Sequence, residues 1–445
     1  MRKTLGIGIV VIAFAATMLP RSAFTEAPEP AISGTHRWLR KPIIVSLSTS
    51  LSTPPLNFKT GTDVIGAWRR ALQGWTNVSD VQFFETTSTN EAMSAPDAGD
   101  GVSLITISAV NAAVFGASQS PGHTRVFYDS GGAIVEADIA LNPNVSFSTD
   151  GTFGTYDLQS TFAHEIGHLL GLEHSAVIGA TMQPRQAQNG VYGLPATTQR
   201  TLSEDDVSAA RALYGSRAGI ASIAGRLTTN TSGRAAAIFG AGVFAEDVAT
   251  GNIVSSSISN GFGRYHFDVL RPGVYRMFAQ ALDGPVPAAD ISGSYVDLLV
   301  TAPAFRSFVL SNSTPSESLS VSGNTTTRLS LFVFANPPTL TPRLIGMNGE
   351  LSTAALPLEP GRTFTIYIAG ENLNQVGPQG ISLSSPAMHV VADSLMEADF
   401  GISYPVIRFD VIVDELVPPG DYTIRLQSSN GEIAYLPGAL SVDQP

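Results

Sequence analysis

The sequence predicts an α+β domain followed by two all-β, sandwich-like modules. Three observations carry this expectation. Residues 35–216 mix helical and strand periodicities within one stretch. After Gly215 the helical periodicity stops, and short strands alternate with Gly, Asn and Pro turns. Charged residues make up only 14% of the chain, against a usual figure of about 25%, which suits β-modules surfaced with Ser, Thr, Asn and Gly. At 445 residues and about 150 residues per domain, roughly three domains are expected. The hydrophobic fraction of 43% excludes a wholly disordered chain.

Charge and cysteine content narrow the chemistry. A net charge of -12 argues against nucleic acid as a partner, because phosphate contacts need clustered Lys and Arg. With no cysteine, disulfides, Cys-ligated zinc, iron–sulfur clusters and thiol nucleophiles are all excluded.

The elements follow in order. Residues 1–27 read as a secretory signal peptide, with Arg2 and Lys3 ahead of an apolar run from Leu5 to Leu19 that Pro20 ends. That run is shorter than the ~20 residues a spanning helix needs, so no transmembrane segment is expected in the mature chain. Ile43–Leu47 is a short strand. Asp63 to Trp75 places Val64, Trp68, Ala71 and Leu72 on one helical face. Val81–Phe84, Val102–Ile107, Arg125–Tyr128 and Ile134–Leu141 read as strands parted by turn residues. Two late helices complete the domain, and residues 221–335 and 339–443 form the two β-modules, joined at Asn336-Pro337-Pro338. Leu270-Arg271-Pro272-Gly273-Val274-Tyr275 and Val417-Pro418-Pro419-Gly420-Asp421-Tyr422 share a turn pattern in which Pro-Gly precedes a strand.

The chemistry sits in Thr161-Phe162-Ala163-His164-Glu165-Ile166-Gly167-His168-Leu169-Leu170-Gly171-Leu172-Glu173-His174-Ser175. Leu158, Phe162, Ile166 and Leu169 form an apolar stripe on the first helix. His164 and His168 share its opposite side, about 6 Å apart along the axis, and can converge on one ion. Glu165 lies beside them, placed to reach a water on that ion. Gly171 takes the left-handed conformation that ends a helix, so His174 can return as third ligand. Three His ligands and an open fourth position are the catalytic form of a zinc site. At about 5% usage per residue, a chance match to the five fixed positions in this length is on the order of 10⁻⁴.

HExxHxxGxxH resembles the metzincin signature, and Ser175 after the last histidine is similar to the matrixin branch. Met182, within Ala180-Thr181-Met182-Gln183-Pro184, resembles the Met-turn beneath the zinc. Leu202-Ser203-Glu204-Asp205-Asp206-Val207 through Gly215 is a capped helix that resembles the C-terminal helix of matrixins. There the paired acids help to anchor the Met-turn and the N-terminus. The resemblance covers about 35–216 and implies a zinc endopeptidase with Glu165 as general base. A protein or peptide substrate would lie extended along an edge strand, either Ala133–Asp138 or the Val114–Gly116 region.

The sequence departs from that pattern in places. Only His36 and His123 are available beyond the ligands in this domain, so one zinc is expected. A calcium site is placed near Asp129, Glu136 or Asp138. Arg185 stands where a specificity-pocket tyrosine is usual, with Tyr192 or Leu194 as substitutes. A cysteine switch is excluded.

Residues 221–335 resemble a carboxypeptidase-regulatory-like β-sandwich, and 339–443 an immunoglobulin-like or IPT-type module; both offer surface to a cell-surface or matrix component. Together these features point to a secreted bacterial enzyme, extracellular, periplasmic or held at the cell surface. The alternatives are a surface adhesin with an inactive metzincin domain, or an enzyme that processes a single partner.

Overall fold

The computed structural model describes residues 36–53, 57–216, 218–231, 234–291, 305–310, 318–334 and 336–443. The expected signal peptide lies outside them. Among the described residues no helix is long and apolar enough to cross a membrane.

The first part of the chain is a twisted sheet with helices packed on it. Strand β1 (Ile43–Ser48) is followed by helix α1 (Val64–Val78), and β2 (Phe83–Ser88) and β3 (Leu104–Ile107) come next. A single helical turn, α2 (Ala112–Phe115), leads to β4 (Gly122–Tyr128) and β5 (Ile134–Leu141). Two short strands, β6 (Phe147–Ser148) and β7 (Tyr156–Asp157), precede α3 (Leu158–Leu169), and α4 (Glu204–Tyr214) closes the unit. The sheet order is β2-β1-β3-β5-β4, parallel except for the antiparallel β4–β5 pair. This corrects the expected substrate edge. Ala133–Asp138 falls largely within β5, an interior strand, and Val114–Gly116 belongs to the α2 turn and its cap. The free edge beside α3 is β4.

Helix α3 is held by all three tryptophans of the chain. Trp68 packs edge-on against Phe162 with ring centroids 5.4 Å apart. The indoles of Trp75 and Trp38 donate to the carbonyls of Ala163 and Leu169 at 2.9 and 2.8 Å. Trp68 and Trp75 are fully buried, and a buried tryptophan removes about 150–250 Å² from water while its N–H finds an acceptor. Asp157 caps α3 by accepting from the Ser160 amide at 2.9 Å, which satisfies one of the orphan donors of the first turn. Arg200 neutralises the buried Asp157 carboxylate, its Nε lying 3.0 Å away.

The rest of the chain is almost entirely β. Ala221–Thr231, Arg234–Ala237, Arg264–Leu270, Thr326–Arg328 and Leu331–Phe332 form one sheet; Ala241–Asp247, Ile253–Ile258, Gly273–Ala281, Phe308–Leu310 and Ser318–Val321 form another. Ile223, Leu227, Val243, Tyr265, Phe267 and Met277 fill the space between them. Two further sheets, centred on Thr363–Glu371 with Val406–Val413 and on Gly420–Ser428 with Ile433–Val442, enclose a core that includes Ile366, Ile368, Phe409, Ile424 and Leu436. The shared Pro-Gly pattern becomes a shared device: Tyr275 Oη donates to the Arg271 carbonyl at 2.6 Å, and Tyr422 Oη donates to the Pro418 carbonyl.

The last core does not stop at its own sheets. It takes in Ala176, Val177, Ile178, Ala180 and Tyr192 from the loop before α4, and Leu282, Val286 and Ile291 from the middle region. Leu282 and Val286 precede a one-turn helix, α5 (Ala288–Ile291), which Ile291 ends. Tyr435 stacks on Phe278 with centroids 4.1 Å apart. The β-regions and the first unit therefore share buried apolar surface, the main source of their mutual attachment.

Candidate metal centre

Helix α3 ends at Leu169, two residues before Gly171. Gly171 has φ +92°, and a side chain there would come within 2.5 Å of the His36 carbonyl. Glycine is needed for both reasons. Its amide donates to the His168 carbonyl at 2.8 Å, and the Leu172 amide to Gly167 at 3.0 Å, closing the helix and reversing the chain. That reversal brings His174 to His164 and His168.

The three imidazoles converge through Nε2. His168 Nε2 lies 3.1 Å from His164 Nε2 and 3.2 Å from His174 Nε2. Tetrahedral ligands at 2.0–2.1 Å from zinc would stand about 3.3 Å apart, so the spacing fits that ion. Each ring commits its Nδ1–H to a carbonyl: His164 to Thr181 at 2.8 Å, His168 to Leu172 at 2.9 Å, and His174 to Asp290 at 3.1 Å. That arrangement leaves three Nε2 lone pairs facing one point, which is unfavourable without a cation and is how ligating histidines are usually oriented. Burial, reinforced by the neighbouring imidazoles, lowers the pKa of His164 to about 3 and that of His168 well below its ordinary value; burial also lowers that of His174. All three are thus neutral, as metal ligation requires. Among the described residues this triad is the group of His, Cys, Asp or Glu able to hold a metal.

Glu165 lies against the triad, 4% exposed. Its Oε2 accepts from Thr124 Oγ1 at 2.6 Å. Burial pushes its carboxyl up to about 7, opposed by that hydrogen bond. Thr124 belongs to the edge strand β4, and Gly122, two residues before it on the same strand, leaves room for the carboxylate, since a side chain there would meet Glu165 Oε1 at 2.4 Å.

Met182 sits directly beneath the helix. A side chain on Gly167 would come within 2.2 Å of Met182 Sδ, so the glycine inside the motif and the methionine below it are fitted to each other. Asp206 holds the turn in place, accepting from the amides of Thr181 and Met182 at 2.8 and 3.1 Å. It also completes a capping box with Ser203. Asp205 accepts from Ser175 Oγ at 2.5 Å and from Ser256 Oγ at 2.9 Å, the latter on a strand of the middle region.

Other expectations are redirected. Tyr192 does not line a pocket at the metal centre. It is buried, and its Oη donates to the Ala354 carbonyl at 2.8 Å within the last core. Leu194 packs against the same core. The loop after the Met-turn is thus used to dock the β-region. The carboxylates of Asp129 and Asp138 accept from backbone amides, Asp129 from those of Gly131 and Ala133 at 2.8 and 2.9 Å, and Asp138 from those of Leu104 and Ser94 at 2.8 and 2.7 Å. Glu136 accepts from the Gly101 amide.

Sequence reasoning passed over Thr124 and Asp290. Thr124 is 41 residues from Glu165, and the strand register that joins them is not given by local pattern. Nothing local could signal Asp290, which is 116 residues from His174.

Residues 38–215 match the family model for matrixin peptidases. Over 197 residues the chain is 30% identical to metalloendoproteinase 1-MMP of Arabidopsis thaliana, covering 43% of this chain and 48% of that protein. It is 29% identical to the hatching enzyme of Paracentrotus lividus (43% and 28% covered) and 29% identical to the interstitial collagenase of Sus scrofa (44% and 37% covered). The chain thus spans about half or less of the length of these relatives. Among solved structures, the Bacillus cereus pilin BcpA aligns with 48% of this chain and 66% of its own at 15% identity, with a TM-score of 0.16, too low to assign a shared fold.

Proposed function

We propose that residues 38–215, which match the matrixin family model, form a metzincin-type catalytic domain, and that the whole chain is a secreted zinc endopeptidase that hydrolyses internal peptide bonds of proteins. The observation that carries this reading is the convergence of the His164, His168 and His174 Nε2 atoms, with every Nδ1–H committed elsewhere and the buried Glu165 beside them. His164, His168 and His174 would hold the zinc, which when bound supplies Lewis acidity and lowers the pKa of a water.

The protein groups then have defined tasks. Glu165 takes a proton from the attacking water at its carboxylate and returns it to the departing amine, a role worth about 10²–10⁴ in rate. Its burial raises its basicity, and the Thr124 hydroxyl keeps it ionised and oriented. The free edge of β4 offers main-chain groups to an extended substrate, which would add as a further strand. Met182 and Gly167 fix the floor of the site. Secretion follows, in this reading, from the charged and apolar leader at residues 1–27. The alternative of an adhesin with a decayed site has no observation in its favour, since the ligands and Glu165 are all retained.

Glu165→Gln in the full chain tests the assignment. Zinc content should stay at the wild-type level while cleavage of an unfolded protein falls by about 10²–10⁴. A variant with undiminished cleavage would remove Glu165 from the proton path.

A further inference from the structure

We propose that Asp290 is a positioning residue for His174, so that the metal centre is completed by a segment lying outside the matrixin-like domain. This rests on reading the triad as a zinc site. Two of the three Nδ1–H acceptors are local: Thr181 follows the motif closely, and Leu172 lies within it. The third is the carbonyl of Asp290, in the one-turn helix α5 of the middle region.

That carbonyl is fixed from several directions. Within its own segment, the Asp290 amide donates to the Pro287 carbonyl at 3.0 Å and the Ala288 amide to Leu282 at 2.9 Å. Leu282, Val286 and Ile291 are buried in the last core. Arg343, paired with Glu371 at 3.0 Å, donates to the Asp283 carbonyl at the start of the same segment. The Asp290 carboxylate is tied down as well. Arg185 Nε lies 2.6 Å from its Oδ2, and the Asp290 side chain is 21% exposed. Arg185 comes three residues after Met182, so one residue hydrogen-bonds through its backbone to a ligand and pairs by charge through its side chain with the Met-turn loop.

The physical consequence is specific. A ligating imidazole whose N–H has a fixed acceptor is locked in tautomer and ring orientation, and outer partners of this kind typically change metal affinity by about 10–100-fold when lost. In this chain that partner belongs to a segment packed into the last core, so docking of the β-regions and the metal affinity are linked. Arg185 is then a tether for α5, in the place where a pocket residue was expected.

The test uses the full chain loaded with zinc, and measures the rate of zinc release to a chelator in excess. Asp290→Gly frees the backbone and removes the ion pair, and should release zinc roughly tenfold faster. Arg185→Gln, altering a half-exposed side chain, should give a smaller acceleration, and Asp290→Asn should restore most of the wild-type rate. Cobalt substituted for zinc should show an altered visible spectrum in Asp290→Gly, while Arg264→Gln, on a distant β-strand, leaves both readouts unchanged. Wild-type release rates and spectra in Asp290→Gly and Arg185→Gln would overturn the proposal. So would faster release matched by equal loss of thermal stability in the metal-free forms, which would assign Asp290 to stability alone. Zinc retained undiminished by His174→Ala would instead remove the triad reading, and this proposal with it.

Discussion

At Glu165 two opposing effects set the proton affinity. Burial disfavours the carboxylate and raises its pKa to about 7, while the Thr124 hydroxyl stabilises the ionised form. A general base must be ionised, so activity should fall as the pH drops through this pKa. Removing the hydroxyl removes only the lowering effect. Thr124→Val should therefore move the acidic limb of the pH–kcat/KM profile up by roughly one pH unit. An unmoved limb would mean that another group governs it. His164, His168 and Glu165 were legible in the sequence because a helix makes spacing into geometry, and His174 because Gly171 marks where the chain turns back. Thr124 was not, because a strand's cross-chain neighbours depend on a register that local pattern does not give.

At the scale of the element, α3 and its ending decide whether three histidines become one site. The fitted pairs are Gly167 over Met182 and Gly171 against the His36 carbonyl. At Gly171 a methyl group meets both a positive φ of 92° and a backbone oxygen at 2.5 Å. Gly171→Ala should cost about 1–3 kcal/mol from the backbone conformation alone and more from the clash. Urea unfolding should show a lower midpoint, and the purified variant should hold less zinc because His174 is displaced. An unchanged midpoint with full zinc would show that the chain reverses without needing glycine. The helix, its start near Leu158 and its stop at Gly171 could be read from the apolar stripe and the glycine. The edge strand could not: β5 lies upstream of the helix and is strongly β-forming, yet strands with that character are as readily interior.

At the scale of the whole molecule, the linear order of units was legible from the loss of helical periodicity after Gly215, but their mutual burial was not. The apolar run Ala176-Val177-Ile178, just past the third histidine, was the available signal, since a solvated loop rarely carries three such residues. These residues and Tyr192 join the last core. Asp421 lies at the same junction, where a side chain on Gly179 would come within 2.1 Å of its Oδ1. Burial pushes the Asp421 carboxyl up from 3.8 to about 7. The unfolded chain loses this proton near pH 4 and the folded chain only near pH 7. Its effect on stability is nil below both values, turns unfavourable as the pH rises between them, and levels off above, on the order of a few kcal/mol. Asp421→Asn should therefore match the wild type near pH 4 and exceed it in melting temperature at pH 8. An equal deficit at both pH values would instead reflect a lost hydrogen bond.

The central claim, a three-histidine zinc centre that hydrolyses internal peptide bonds, is tested most directly by digesting an unfolded protein with the full chain. Metal would be stripped with a chelator and then restored, and new termini identified in the fragments. The account predicts one zinc per chain, new termini inside the substrate, loss of cleavage on stripping, and recovery with about one equivalent of zinc. Cleavage that persists in the stripped protein, or none in a chain carrying its zinc at the triad, would contradict it.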